Sequence, residues 1–361
     1  MSERTMIPAS WDAVTPEWMT KALAPKHPGL EVAGVEVLLR DDGTNRRARL
    51  GVTYVEGVGP RTVFLKASDP DHAALNARSG GVFNEAMLFQ SGVVLPVEHP
   101  AVYLSLIDEP ALDFVLVMED VAGRGGDARD ATRPLTVAQA ADGLAGLARL
   151  HSAFWGERFD VQALSWVQPF TVWFSMARGV DAGLERATER IPSEVAQLGG
   201  SAIDESWQRY IGTVTDGPLT LLHGDAHIGN TYTLPGDRVG FLDWQVVRRG
   251  NHCLDVAYLL QGALAIEDRQ ASERELVAQY HGSLTLPDDE TPTLADLWLR
   301  YRAAAAHGLT VWLATAASNW QRPEVSLALA ERYAQAFVDL DTAAAIDELV
   351  DDAQAHGDPR P

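Results

Sequence analysis

Between residues 30 and 70, short apolar runs alternate with turn signals. Residues 32–40 read as a strand, Asp41-Asp42-Gly43-Thr44-Asn45 as a turn, and residues 47–55 as a second strand with period-two alternation. A hairpin turn at 56–60 leads into a third strand, Thr62-Val63-Phe64-Leu65-Lys66. The period changes at residues 82–89, where the apolar positions are spaced as on a helix, and residues 114–121 read as a buried strand running into a polar link. Past that link the pattern is helical. Residues 136–155 put Leu144, Leu147, Ala148 and His151 on neighbouring turns, and residues 294–318 and 323–340 carry an alanine-rich apolar face. Thr15-Pro16-Glu17 has the form of a capped helix start, with the helix reaching Leu23. The pattern divides the chain into a helical extension (1–29), a strand-rich section (30–117), a link (118–121), a mainly helical section (122–346) and a polar tail (347–361) expected to fray.

One segment carries chemistry of its own. Residues 223–230 read His-Gly-Asp-Ala-His-Ile-Gly-Asn, and Phe241-Leu242-Asp243-Trp244 follows a short polar stretch. Asp225 and Asn230 lie on a glycine-containing loop, so a carboxylate and an amide oxygen can face one pocket. Asp243 ends an apolar run, where a buried strand delivers its last side chain. Such a set can hold a metal-nucleotide beside a hydroxyl, with one carboxylate to accept the hydroxyl proton and oxygen ligands to hold Mg²⁺ on the phosphates. Asp225 is therefore the candidate base, and Asn230 and Asp243 the candidate metal ligands. A rival reading takes His223, Asp225 and His227 as alternating on one side of a strand, like the ligands of a transition metal in a hydrolase. That reading leaves Asn230 and Asp243 unexplained. His223 reads as structural, its ring bonding the loop backbone. For His227, structural and substrate-side roles stay open.

The motif His-Gly-Asp-x-His-x-Gly-Asn followed by Leu-Asp-Trp resembles the signature of the aminoglycoside phosphotransferase, choline kinase and ecdysteroid kinase superfamily of small-molecule kinases. The resemblance covers about residues 32–340. It implies an α+β, two-lobed fold like that of protein kinases, with an antiparallel sheet plus helix in the N-lobe and a mainly helical C-lobe. It also implies ATP and Mg²⁺ as cofactors and an alcohol group as phosphoryl acceptor.

The upstream residues meet that expectation. Lys66, on the third strand, occupies the place of the lysine that touches the nucleotide phosphates, and Glu85, nineteen residues on, is available to pair with it. Backbone near Glu119, Asp120 and Val121 would meet the adenine edge. Gly43-Thr44-Asn45 holds one glycine where protein kinases have three, although its backbone and the Thr44 hydroxyl can still contact phosphate. Asp255 matches a superfamily position whose carboxylate braces the catalytic-loop backbone, and it could equally be a plain helix cap opening a helix at 256–264. His151 reads as a satisfied core histidine. Asp255 comes only twelve residues after Asp243, too close for the activation segment of a protein kinase, so no protein substrate is expected. A binding-only pseudokinase is the other alternative, and the intact set of Lys66, Asp225, Asn230 and Asp243 argues against it.

Composition narrows the setting. With 361 residues and 46% hydrophobic content the chain can bury a large core. A formal charge of −21 opposes nucleic-acid binding, which calls for basic patches. It also leaves an amino-alcohol, aminoglycoside or sugar better placed than an acidic acceptor. The single cysteine, Cys253, excludes an intrachain disulfide and suits the cytoplasm; Met-Ser-Glu-Arg-Thr lacks an apolar signal core, and no apolar run is long enough to span a membrane. Trp166 or Trp173 lining the acceptor site, and Glu267 or Asp268 meeting a cationic acceptor, are expectations from chain position.

Overall fold

The computed structural model describes residues 7–40, 45–69, 81–159, 161–172, 174–318 and 320–355, with the side chains of 353–355 left out. The candidate residues Gly43 and Thr44, and Trp173, lie outside the described residues. The chain forms two compact units. The first comprises residues 1–94, 99–127 and 242–246; the second comprises 95–98, 128–241 and 247–361.

The first unit is built on five antiparallel strands: β1 (Glu31–Arg40), β2 (Asn45–Glu56), β3 (Thr62–Ser68), β4 (Val102–Asp108) and β5 (Asp113–Glu119), in the order β1-β2-β3-β5-β4. Helix α1 (Pro16–Leu23) starts at Thr15, whose side chain accepts the Trp18 N–H, and proline sits where its missing N–H costs nothing. Met19, Ala22 and Leu23 of α1 share a core with Ala48 and Leu50 of β2, Val63, Leu65 and Ala67 of β3, and Val115 and Val117 of β5. The N-terminal helix is thus part of this unit. The opposite face of the sheet is covered by α2 (Asn84–Gln90), with Ala86 packed among Phe114, Leu116 and Met118. Strand β4 was not read from the sequence; its residues are all partly exposed, and pairing with β5 defines it.

The second unit is mainly helical: α3 (Val137–Ala153), α4 (Ala177–Ala187), α5 (Gly200–Thr213), α6 (Cys253–Ala263), α7 (Ile266–Ser283), α8 (Leu294–Ala303), α9 (Ala305–Ala316), α10 (Pro323–Asp339) and α11 (Thr342–Ala355). Helix α3 opens on a reciprocal capping box between Thr136 and Gln139. Every residue of α6 is buried, which places it at the centre of the unit. Two short antiparallel pairings complete it: β6 (Thr220–Leu222) with β9 (Arg248–Gly250), and the hairpin β7 (Thr231–Leu234) with β8 (Arg238–Phe241).

Three boundaries differ from the sequence reading. The helix expected over 294–318 breaks at Ala304, whose ψ of −14° turns the chain out of the regular helix between α8 and α9. The tail expected to fray from 347 is helical through Ala355, because Ile346 and Leu349 are buried on the inner face of α11. Helix α6 begins at Cys253, ahead of the expected start at 256, with the Cys253 N–H bonded to Asn251 Oδ1. Among the described residues no helix is long and apolar enough to cross a membrane.

Candidate active site

Strand periodicity places Lys66. Val63, Leu65 and Ala67 point into the α1 core, so Phe64 and Lys66 point to the face covered by α2. Glu85, in the first turn of α2, meets it there. Lys66 Nζ donates to Glu85 Oε2 at 2.6 Å and to Asp243 Oδ1 at 2.7 Å, with the lysine and glutamate side chains each only 4% exposed. Burial works against the ammonium charge, but the attraction of Asp243 and Glu85 outweighs it and raises the lysine pKa. The contact with Asp243 was not foreseen from sequence, because the two residues are 177 positions apart.

Asp243 follows β8 with a φ of 61°, in the left-handed region that a residue with a Cβ seldom adopts. Its neighbours hold the turn. Trp244 N–H donates to Glu85 Oε1 at 3.1 Å, Asn84 Nδ2 donates to the Gln245 carbonyl at 3.1 Å, and Asn45 Nδ2 donates to Gln245 Oε1 at 3.0 Å. A strained conformation that costs about 1–3 kcal/mol persists because the surrounding bonds over-determine it.

The link after β5 is also ordered by side chains. Asp120 accepts from Ala122 N–H and pairs with Arg49 at 2.9 Å, while Glu119 pairs with Arg124 at 2.7 Å. The Val121 carbonyl accepts from the Gly126 N–H, which closes the turn after the link.

In the second unit, β6 ends at Leu222 and the motif forms a loop. His223, Asp225 and His227 therefore do not alternate along a strand. The chain leaves the ladder because Asp255, fully buried on α6, accepts the backbone N–H of His223 at 2.7 Å and of Gly224 at 2.9 Å, and Gly224 takes a φ of 78°. Asp255 lies inside the first turn of α6 and is not its cap. The same carboxylate contacts His151 Nε2 at 3.3 Å, and His151 Nδ1 bonds the Tyr280 hydroxyl at 2.7 Å, so His151 is buried and satisfied.

The two motif histidines hold the loop from within. His223 Nδ1 accepts the Asp225 N–H at 3.2 Å, and His227 Nδ1 accepts the Gly229 N–H at 3.0 Å as it caps the turn Ile228–Asn230. A Cβ on Gly229 would come within 2.6 Å of the His227 ring, which explains the glycine. Asn230 Nδ2 donates to both the carbonyl and Oδ2 of Asp225, each at 2.9 Å, fixing the carboxylate of the candidate base. With its nitrogen so committed, Asn230 presents its amide oxygen, a hard donor of the kind Mg²⁺ takes. The hydrolase alternative finds no support here. Among the described residues no three His, Cys, Asp or Glu side chains are grouped as ligands of a metal, and both histidine Nδ1 atoms are committed to the loop.

Glu267 and Asp268 stand exposed on the first turn of α7, where carboxylates favour a helix N-terminus, and the Trp166 indole N–H is bonded to the Ala163 carbonyl. Tyr258 and Trp312, which the sequence reading did not single out for the site, pack their rings against His227.

Residues 52–297, about two thirds of the chain, match the model of the phosphotransferase enzyme family. No protein of curated function matches the chain. Among solved structures, a choline kinase from Cryptosporidium parvum shares 12% identity, with 93% of this chain and 97% of that one covered and a TM-score of 0.49. A choline kinase from Streptococcus pneumoniae shares 13%, with 90% and 98% covered and a TM-score of 0.47. An aminoglycoside phosphotransferase from Streptomyces rimosus, in complex with ADP and streptomycin, shares 18%, with 69% and 88% covered and a TM-score of 0.39. Identities and scores this low add nothing to the family match. That match spans Lys66, the loop at 223–230 and Asp243 together, and by it the chain belongs to the phosphotransferase enzyme family.

Proposed function

We propose that the protein transfers the γ-phosphoryl group of ATP, with Mg²⁺, to a hydroxyl of a small molecule such as an amino-alcohol, aminoglycoside or sugar. Transfer is direct and in line. The acceptor oxygen bonds to phosphorus as the bond to the β-phosphate oxygen breaks, and the hydroxyl proton passes to Asp225. Asn230 and Asp243 would hold Mg²⁺, which would supply charge neutralisation at the phosphates. Lys66, oriented by Glu85, holds the α- and β-phosphates, and backbone at Glu119 and Val121 meets the adenine. Gly43 and Thr44 serve the phosphate-covering loop. His223 and Asp255 keep the catalytic loop in shape.

The observation that carries this reading is the buried ammonium of Lys66 between two carboxylates. Burial raises the Glu85 pKa even beside the lysine, while Asp243 stays partly exposed, so this cluster is a place where added positive charge from a divalent cation would be favourable. The test is thermal shift with a non-hydrolysable ATP analogue, with and without Mg²⁺, followed by ADP release across a panel of hydroxylated acceptors. Mg²⁺-dependent stabilisation with acceptor-dependent ADP release is the expected result. Stabilisation without transfer to any acceptor would instead favour a nucleotide-binding pseudokinase.

A further inference from the structure

Within the first unit, the sheet face that carries Lys66 makes a second contact with the turn after β8. In β2, Ala48 and Leu50 face the α1 core, so period-two alternation turns Asn45 and Arg47 to the face covered by α2. Arg47 lies opposite Lys66 in the ladder, which makes Asn45 the diagonal neighbour of Lys66 on that face, roughly 7–8 Å away. Both meet the same short turn. Lys66 Nζ donates to Asp243 Oδ1 at 2.7 Å, and Asn45 Nδ2 donates to Gln245 Oε1 at 3.0 Å, two residues further on. The backbone there is held from α2, because the Gln245 carbonyl accepts from Asn84 Nδ2 and the Trp244 N–H donates to Glu85 Oε1, each at 3.1 Å. Asn45 is only 6% exposed and Gln245 is half-buried, so the contact between them is sheltered from water. An amide carries its oxygen and its nitrogen on separate arms of one carbon. With Oε1 taken by Asn45, the Nε2 hydrogens of Gln245 turn away from it, and they meet no acceptor among the described residues.

We propose that Gln245 is a nucleotide-binding residue whose Nε2–H groups donate to the phosphate chain beside Lys66, with Asn45 fixing which way the amide faces. Phosphate oxygens only accept, and a donor is what the locked amide offers them. The amide adds a hydrogen bond without adding charge. That suits a place two residues from a metal ligand, where a second cation would oppose the ion. Asn45 supplies the preorganisation, since a free glutamine would turn either end to the phosphates and its oxygen would repel them. The role of Gln245 rests on the reading of Lys66 as the lysine that holds the nucleotide phosphates, and it extends that site by one residue of the metal-side turn.

The test measures binding of ADP and of adenosine to the full chain by calorimetry in the presence of Mg²⁺. Gln245→Met keeps the length of the side chain and removes both polar ends. It should weaken ADP about tenfold or more and leave adenosine within about twofold, because only the phosphates lose a partner. If Gln245→Met does not fold, Gln245→Ala takes its place with the same expectation. Asn45→Asp retains Gln245 but offers it an acceptor, so the amide turns over. ADP should then weaken about tenfold in the parent and clearly less in the Gln245→Met background, where only the added charge remains. Lys66→Met tests the reading beneath and should weaken ADP while sparing adenosine. Unchanged ADP affinity in Gln245→Met, or an equal loss for adenosine, would overturn the role of Gln245 and leave the Lys66 site standing. Tighter Mg²⁺-dependent ADP binding in Gln245→Glu would overturn it as well, since the side chain would then face the metal. If Lys66→Met also leaves ADP untouched, the phosphate site itself falls, and the role of Gln245 with it.

Discussion

Replacing Asp255 by asparagine separates the scaffold of the catalytic loop from its chemistry. The carboxylate is fully buried and accepts two backbone N–H groups, from His223 at 2.7 Å and Gly224 at 2.9 Å. Hydrogen bonds to a charged partner contribute about 1.5–3 kcal/mol each. Asparagine keeps one oxygen and turns an NH₂ group on the other N–H, so one bond is lost and a buried donor is left facing a donor. Relief of burying a charge offsets part of that loss, and we expect a net destabilisation of about 2–3 kcal/mol. Alanine removes both bonds and should cost about 4–6 kcal/mol, a large share of the 5–15 kcal/mol of a typical domain. Urea unfolding measures both variants, with m-values compared because the chain has two compact units that can unfold separately. In Asp255→Asn, kcat should fall at least about tenfold while Mg-ATP affinity is kept, because the residue holds the loop bearing Asp225 and touches no nucleotide. An asparagine variant within about 0.5 kcal/mol of the parent would refute the reasoning, since two buried N–H groups would then have no need of the carboxylate.

Further outcomes are open to measurement. Asp225→Asn should lower kcat by about two to four decades with Mg-ATP affinity within a few-fold of normal, and near-intact turnover would remove Asp225 as base. Lys66→Ala and Glu85→Ala should each weaken ATP placement, with the double variant little worse than the poorer single one; additive losses would separate the two residues. Burial pushes His307 down to about 3, with Trp207 Nε1–H bonded to its Nδ1. The unfolded chain therefore takes up a proton below about pH 6.5 that the fold refuses, and stability falls by up to about 1.4 kcal/mol per pH unit from there toward pH 3. His307→Gln, which can still accept from Trp207, should lose about 2 kcal/mol less than the parent between pH 7 and pH 5, and parallel pH profiles of unfolding would contradict this. Gly229→Ala should disturb the His227 cap and raise acceptor KM, because its Cβ would meet the ring at 2.6 Å; unchanged kinetics would show that the ring can give way.

Local pattern carried a large part of this protein. Period-two alternation in residues 62–66 is enough to put Lys66 opposite Val63 and Leu65 on the sheet, and the Thr136–Gln139 box and Thr15-Pro16 start are written in neighbouring residues. The motif at 223–230 and the Asp243 that follows it were legible because their spacing is short and their residue types are few. Strand β4 and the break at Ala304 were not legible, since partly exposed residues and an unbroken alanine-rich run carry no signal of their own. What only tertiary structure decided is which distant groups meet. Lys66 with Asp243, Asp255 with the N–H groups of His223 and Gly224, and His227 with Tyr258 and Trp312 are all set by how sheets and helices pack. The left-handed turn at Asp243 belongs with them, because a non-glycine residue adopts that backbone only where surrounding bonds hold it, and those bonds come from Glu85, Asn84 and Asn45, which lie far away along the chain.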